Sequence, residues 1–346
     1  MKIGFYSPLD SLMRNRMFLD PNTTSGTGDN LLLPYIRLKE VAAQQGIECM
    51  TVDTLPLGDF DVFVFCEMPN ASNSVFQMAN EKGKRCFLLI SENHFLWKAN
   101  ADFERYQEFD RVFTYNDDVI DGEQVLKLNY AFDLPKSIAD IKVSKEKLAV
   151  MICSNHKRDI KHLIYAKRRE TINWFQDHQP NSFDLYGLGW ERGALPFQTK
   201  PLLQRLLRSV GLLRMFPLKK YSSWRGKVLR KSDVLGMYRF GFCYENTVEI
   251  QGYITEKIFD VMMAGTVPVY LGPKNATKYI PQECFIDRSK FPDHMSLYSY
   301  LSDMTETRYI EYLAAINGFL SSVNSYEFSI DCFVDRILNA LIGRRS

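Results

Sequence analysis

An excess of either charge is missing from this sequence. Forty-three basic residues stand against 41 acidic ones, a formal net charge of +2 over 346 residues. That balance excludes a dedicated nucleic-acid binder, whose partner demands a strongly basic surface. Histidine is scarce, with five in all, and His94, His156, His162, His178 and His294 fall into no metal-ligand spacing such as HExxH. The seven cysteines, Cys49, Cys66, Cys86, Cys153, Cys243, Cys284 and Cys332, are odd in number and include no CxxC pair. A zinc ribbon and a disulfide scaffold are therefore excluded, and free thiols in a reducing compartment are expected. No long apolar run follows Lys2 or occurs elsewhere, so neither a signal peptide nor a membrane span is expected, and the protein reads as cytoplasmic. Internal repeats and low-complexity tracts are absent too.

What is present is the composition of a globular protein, 46% apolar and 24% charged, long enough for two domains with a core each. Continuous apolar runs at Lys2–Tyr6, Asp61–Cys66, Arg85–Ile90 and Arg111–Thr114 alternate with a helical pattern over Leu31–Gln45. A second set follows. Leu148–Cys153, Phe183–Tyr186, Tyr238–Tyr244 and Val267–Leu271 read as strands, with helices over Lys161–Gln176 and Thr255–Ala264. Strands apolar on both faces and separated by helices form parallel, doubly wound sheets. The expectation is an α/β protein of two Rossmann-like domains facing a central cleft. One spans residues 1–140 and the other 147–325, joined near Asp133–Glu146. A helical tail over 326–346 packs back on the first.

The segment Phe242–Gly272 concentrates the chemistry. A strand ends at Tyr244, a polar loop carries Glu245 and Asn246, and a helix opens with Thr255 as expected N-cap and Glu256-Lys257 in its first turn. A helix N-terminus beyond the carboxyl end of a parallel strand suits a diphosphate. Lys257 would add a full positive charge, and Glu256 would accept hydrogen bonds from sugar hydroxyls.

The stretch 201–231 departs from the rest. Lys200, Arg205, Arg208, Arg214, Lys219, Lys220, Arg225, Lys227, Arg230 and Lys231 occur without an acid between them, and leucines share one helical face opposite Arg205 and Arg208. Such an amphipathic basic helix packs on the core, docks on an anionic membrane surface or another polyanion, as suits an enzyme with a lipid-linked acceptor, or, as the least favoured reading, meets nucleic acid.

The residues Glu245-Asn246, Tyr253-Ile254-Thr255-Glu256-Lys257, Val267-Pro268-Val269 and Leu271-Gly272-Pro273, in that order and spacing, resemble the signature of the α-1,3-fucosyltransferases, glycosyltransferase family 10. Flanking matches are Cys153-Ser154-Asn155, an arginine on the following helix that is either Arg168 or Arg169, and Asp184-Leu185-Tyr186-Gly187. The resemblance spans most of residues 147–290. In the first half it rests on Ile90-Ser91-Glu92-Asn93.

The resemblance implies an inverting GT-B enzyme of bacterial type. Such an enzyme moves L-fucose from GDP-fucose to an N-acetylglucosamine or glucose hydroxyl of a surface glycan, as in lipopolysaccharide. The second domain would bind the donor and the first an oligosaccharide or lipid-linked acceptor, near the inner membrane face. The donor role falls on Lys257, Glu256, Arg168 or Arg169, Tyr253, Asn246, Glu245, Thr255, Ser154, Asn155, Tyr186 and Gly187. The base falls on Glu92. In-line attack at an oxocarbenium-like carbon requires a carboxylate to take the hydroxyl proton, while cations stabilise the leaving diphosphate. No metal is expected to be essential. His94 and Trp97, with Phe95, are candidates to touch the acceptor.

Two weaker signals are set aside. Asp59-Phe60-Asp61 looks like a DxD metal motif but directly precedes a strand, and Gly26-Thr27-Gly28-Asp29 lacks phosphate-loop spacing. A relative using another GDP-sugar, and a non-catalytic nucleotide- or glycan-binding module, are the alternatives.

Overall fold

The computed structural model describes residues 1–22, 29–135, 145–156, 160–191 and 220–343. The first sheet comprises β1 (Lys2–Tyr6), β2 (Glu48–Thr51), β3 (Val62–Cys66), β4 (Arg85–Ile90), β5 (Arg111–Thr114) and β6 (Val125–Lys127), in the order β2-β1-β3-β4-β5-β6. The second comprises β7 (Lys147–Ile152), β8 (Phe183–Tyr186), β9 (Tyr238–Tyr244), β10 (Val267–Leu271) and β11 (Ile286–Asp287), in the order β11-β10-β9-β7-β8. Every pairing in both sheets is parallel. The run VFVFC of β3 is buried at all five positions, as a strand covered on both faces must be. Strand order reverses between β1 and β3 and again between β7 and β9. Open α/β sheets bind ligands beyond the carboxyl ends of strands at such reversals.

The helices are α1 (Leu33–Gln44), α2 (Ser74–Glu81), α3 (Tyr165–His178), α4 (Ser232–Leu235), α5 (Glu256–Met263), α6 (His294–Ser302), α7 (Glu306–Leu320) and α8 (Ile330–Ile342). After α7 the chain crosses back to the first sheet. Phe132 pairs with Ser329 at the crossing, and Ile330, Phe333, Ile337 and Leu341 of α8 join the core built by Leu38, Ala42, Val64 and Phe87. Arg85 donates to the carbonyls of Ala340 and Leu341, both at 2.9 Å, and so satisfies orphan acceptors at the end of α8.

Three local expectations need correction. The helix expected from Lys161 begins at Tyr165, because His162 takes a left-handed backbone (φ +71°) and the Ile164 N–H donates to the Asn246 carbonyl at 2.8 Å. The helical tail from Tyr326 is interrupted at Ser329, whose hydroxyl accepts from the Cys332 N–H at 3.1 Å and starts α8. Thr255 occupies the N-cap position of α5 but its hydroxyl caps nothing; it donates to Glu245 instead, at 2.7 Å. All seven cysteines are free thiols. No helix among the described residues is long and apolar enough to cross a membrane. The basic stretch up to Lys219, Gly26 to Gly28, and most of the expected linker lie outside the described residues.

Candidate active site

The ends of β7 and β9, the N-terminus of α5 and the loop after β4 converge on one cavity of about 470 Å³, within the range of small-molecule sites. Glu92 reaches it from the first sheet. Ser154, Arg168, Gly187, Asn246, Glu256 and Lys257 reach it from the second.

Arg168 lies one turn into α3, and its guanidinium is buried against the end of β9. It donates to the carbonyls of Tyr244 (2.6 Å) and Glu245 (2.9 Å) and to Asn246 Oδ1 (3.0 Å). Those acceptors are neutral, and among the described residues no carboxylate stands within ion-pair distance of the guanidinium. Its charge is therefore held rigidly in a polar wall without being cancelled. Arg169, one residue on, turns away and donates to the His156 carbonyl at 2.6 Å. Of the two arginines that helical register left open, Arg168 lines the cavity and Arg169 does not.

Lys257 sits between two carboxylates, Glu245 and Glu256, each at 3.3 Å, and donates to the Thr255 hydroxyl at 2.8 Å. Burial works against its charge, but Glu256 and Glu245 outweigh burial and raise its pKa. Glu256 is buried as well, which favours the acid form, yet Lys257 and Lys231 prevail and hold it below the usual carboxylate range. Glu245, expected among the donor residues, does not line the cavity. It is fully buried beneath α5, accepting from the Thr255 N–H at 2.8 Å and from the Tyr270 hydroxyl at 3.2 Å. It anchors the helix entrance and Lys257 from below.

Glu92 is partly buried at the opposite wall. Its Oε1 accepts from the Asn93 N–H (2.8 Å) and Asn93 Nδ2 (2.7 Å); Oε2 accepts nothing from the described residues. Burial pushes its pKa up to about 7, with the charges of Glu67 and Glu256 adding to the rise while the Asn93 N–H and Lys257 oppose it.

Other expected donor residues stand behind the wall. Tyr253 is buried, and its hydroxyl accepts from Asn93 Nδ2 (3.1 Å) and Asn246 Nδ2 (3.3 Å), tying the two halves together. Asn155 donates to the Gly189 carbonyl at 3.0 Å, and the Tyr186 hydroxyl meets that of Tyr238 at 3.3 Å. Gly187 lines the cavity with φ +128°, where a Cβ would lie 2.1 Å from the Cys153 carbonyl oxygen, so only glycine fits. On the first half, His94 packs edge-on against Phe95 and Trp97 donates to the Met68 carbonyl at 3.3 Å; neither lines the cavity. Phe95 stacks on His162, at 4.7 Å, instead of standing free. Asp61 accepts from the Lys2 N–H at 2.7 Å, and among the described residues no group of His, Cys, Asp or Glu is arranged to hold a metal ion.

A third cation at the cavity was not among the expected site residues. Lys231 lines the cavity, pairs with Asp260 at 2.7 Å and approaches Glu256 at 3.8 Å. Asp260 falls one turn after Glu256, and that i, i+4 spacing of acids on one helix face was the available signal. Asp29, from the first half, accepts from the N–H groups of Lys231 and Ser232, both at 3.2 Å.

Residues 215–319, which carry Lys231, Asn246, Glu256 and Lys257, match Glycosyltransferase family 10 (fucosyltransferase) C-term. That match takes in less than a third of the chain. Human Alpha-(1,3)-fucosyltransferase 7 is 33% identical to this chain over 124 residues, 34% of this chain and 35% of that protein. The Alpha-(1,4)-fucosyltransferase of Arabidopsis thaliana is 35% identical over 79 residues, 22% of this chain and 20% of that protein. The matched segments thus span about a third or less of those relatives' length. A crystal structure of an alpha1,3-fucosyltransferase with GDP-fucose superposes with a TM-score of 0.55, covering 99% of this chain and 90% of that one at 13% identity. At that identity the likeness is one of fold: two parallel-sheet halves facing a cleft, the GT-B arrangement.

Proposed function

We propose that this chain is an inverting glycosyltransferase that moves L-fucose from GDP-fucose to a hydroxyl of an N-acetylglucosamine or glucose unit, making an α-1,3 linkage. One observation carries the reading. A carboxylate on the first half, Glu92, faces an arginine and a lysine on the second, Arg168 and Lys257, across a single cavity. The match to the fucosyltransferase family falls on the second half, where a donor would sit.

The diphosphate rests on Arg168, Lys257 and the N-terminal turn of α5, whose N–H groups add a positive dipole end. Glu256 accepts from donor hydroxyls, and the backbone of Gly187 lets the ligand approach closely. The acceptor oxygen attacks the anomeric carbon from the Glu92 side, and its proton passes to the Glu92 carboxylate. The bond from that carbon to the phosphate oxygen breaks on the opposite face, and its electron pair leaves with GDP. A base with a pKa near neutrality is matched to this task. The cations on the far wall stabilise the growing negative charge where it develops, without requiring a metal ion. Tyr253, Thr255 and Glu245 support the groups that touch the donor.

The test is a donor and acceptor screen with mass detection. GDP-fucose with an N-acetylglucosamine- or glucose-containing oligosaccharide or lipid-linked glycan should give a product heavier by one fucosyl unit, and GDP-mannose should not give transfer. Transfer from GDP-mannose alone would assign the chain another donor. GDP binding without any transfer across the panel would point to a binding module.

A further inference from the structure

Glu67 follows β3 with φ +74°, a left-handed backbone that costs a non-glycine residue strain. It is buried behind the cavity and does not line it. Its Oε1 accepts from the N–H groups of Ser91 (3.1 Å) and Glu92 (2.9 Å) and from the Ser91 hydroxyl. Its Oε2 accepts from Asn100 Nδ2 at 2.6 Å. The same Asn100 amide donates to the Glu92 carbonyl at 2.9 Å, and Asn100 Oδ1 accepts from the Met68 N–H at 3.0 Å, which fixes the orientation of the amide. Both backbone polar groups of Glu92 are thus held by the Glu67–Asn100 pair.

We infer that Glu67 is a positioning residue for the transfer reaction, clamping the backbone of Glu92 so that its carboxylate is presented to the cavity. The inference rests on the reading of Glu92 as the base. A base on a loop after a strand has many orientations open to it, and proton transfer needs one of them. Burial pushes the Glu67 carboxyl above the usual carboxylate range, and the donors that converge on it from Ser91, Asn100 and Glu92 oppose that rise and favour its charged form. The titratable groups facing it are Cys66 beside it, Tyr35 of α1, Tyr106, Tyr115 after β5, and Glu92 itself. Among the described residues no lysine or arginine forms an ion pair with it. Its charge therefore reaches Glu92 unneutralised and helps to raise the Glu92 pKa.

The test compares kcat, the KM for GDP-fucose and the pH profile of kcat/KM for the wild type, Glu67→Gln, Ser91→Ala and Glu92→Gln. Glu67→Gln removes the charge and sets an amide against the Asn100 amide. It should lower kcat by about tenfold or more, leave the donor KM within about threefold, and move the acidic limb of the profile to lower pH. Ser91→Ala keeps both backbone bonds and should lower kcat by about threefold at unchanged donor KM. Should Glu67→Gln fail to fold, Ser91→Ala decides, and a wild-type kcat in that variant would overturn the inference. With Glu92→Gln inactive, a Glu67→Gln enzyme with wild-type kcat and an unmoved limb removes the positioning role alone. A Glu92→Gln enzyme that still turns over removes the base, and the inference with it.

Discussion

The Tyr253 hydroxyl, on the second half of the molecule, accepts a hydrogen bond at 3.1 Å from Asn93 Nδ2 on the first, next in sequence to the candidate base. Asn93 also donates to Glu92, and Asn246, the other donor to Tyr253, accepts from Arg168. One phenol therefore links the two sides of the candidate reaction centre. Tyr253→Phe keeps the ring against Tyr115 and Tyr130 but strands two amide donors. The expected cost is about 1–3 kcal/mol of stability. A fall of roughly tenfold in kcat should accompany it as both amides loosen. Thermal unfolding and steady-state kinetics check it; a variant unchanged in both would deny the coupling.

Arg168 and Arg169 are neighbours in sequence with different surroundings. Arg168→Lys loses the planar guanidinium whose Nη2 three acceptors hold in place, and a transition-state charge contact of this kind is worth on the order of 3 kcal/mol, or about a hundredfold in kcat. GDP affinity, read by calorimetry, should fall as well. Arg169→Ala should leave both within about threefold, as a residue away from the site does. The reverse ranking would transfer the donor role to Arg169.

The raised pKa of Glu92 has a stability consequence. Its carboxyl binds its proton more tightly in the folded protein, with a pKa of about 7, than at the ordinary 4.5. Folding is then opposed as pH rises from about 4.5 through 7, by up to roughly 3 kcal/mol once the group is ionised. Glu92→Gln should therefore melt higher than the wild type at pH 8, with the difference closing as pH falls towards 4.5. Equal melting temperatures across that range would show that the site does not strain the base.

Gly187 admits no side chain. A Cβ there meets the Cys153 carbonyl at the end of β7 on a backbone at φ +128°. Gly187→Ala should cost about 2–3 kcal/mol of stability and weaken GDP binding, because the cavity wall must shift. Chemical denaturation and calorimetry measure both; wild-type values would place the wall elsewhere.

The alternation of apolar runs and helical patterns was enough to read both sheets, since strands covered on two faces announce themselves as VFVFC or LAVMIC. The short edge strands β2, β6 and β11 carry no such run and went unread. Helices α2, α6 and α7 went unread although Asn73, Asp293 and Thr305 cap them; an N-cap is one residue, α2 is only about two turns long, and α6 and α7 are weakly amphipathic. At the site, Lys257 and Glu256 were legible because a helix start after a strand is a local pattern. The burial of Glu245, the turn of Arg168 and not Arg169 into the cavity wall, and the hydrogen bonds from Ser91, Glu92 and Asn100 to Glu67 depend on contacts between distant segments, which no spacing in the chain records. Lys231 was visible only as one of ten basic residues, and what separates it from them is Asp260, 2.7 Å away in space and 29 positions away in sequence.

The account stands on Glu92 acting across the cavity from a bound donor diphosphate. The most direct measurement pairs turnover of Glu92→Gln on GDP-fucose and acceptor with its affinity for GDP. Loss of about a thousandfold in kcat with the GDP dissociation constant within about threefold of wild type is the predicted result. Turnover near the wild-type rate, or loss of GDP binding in step with activity, would contradict it.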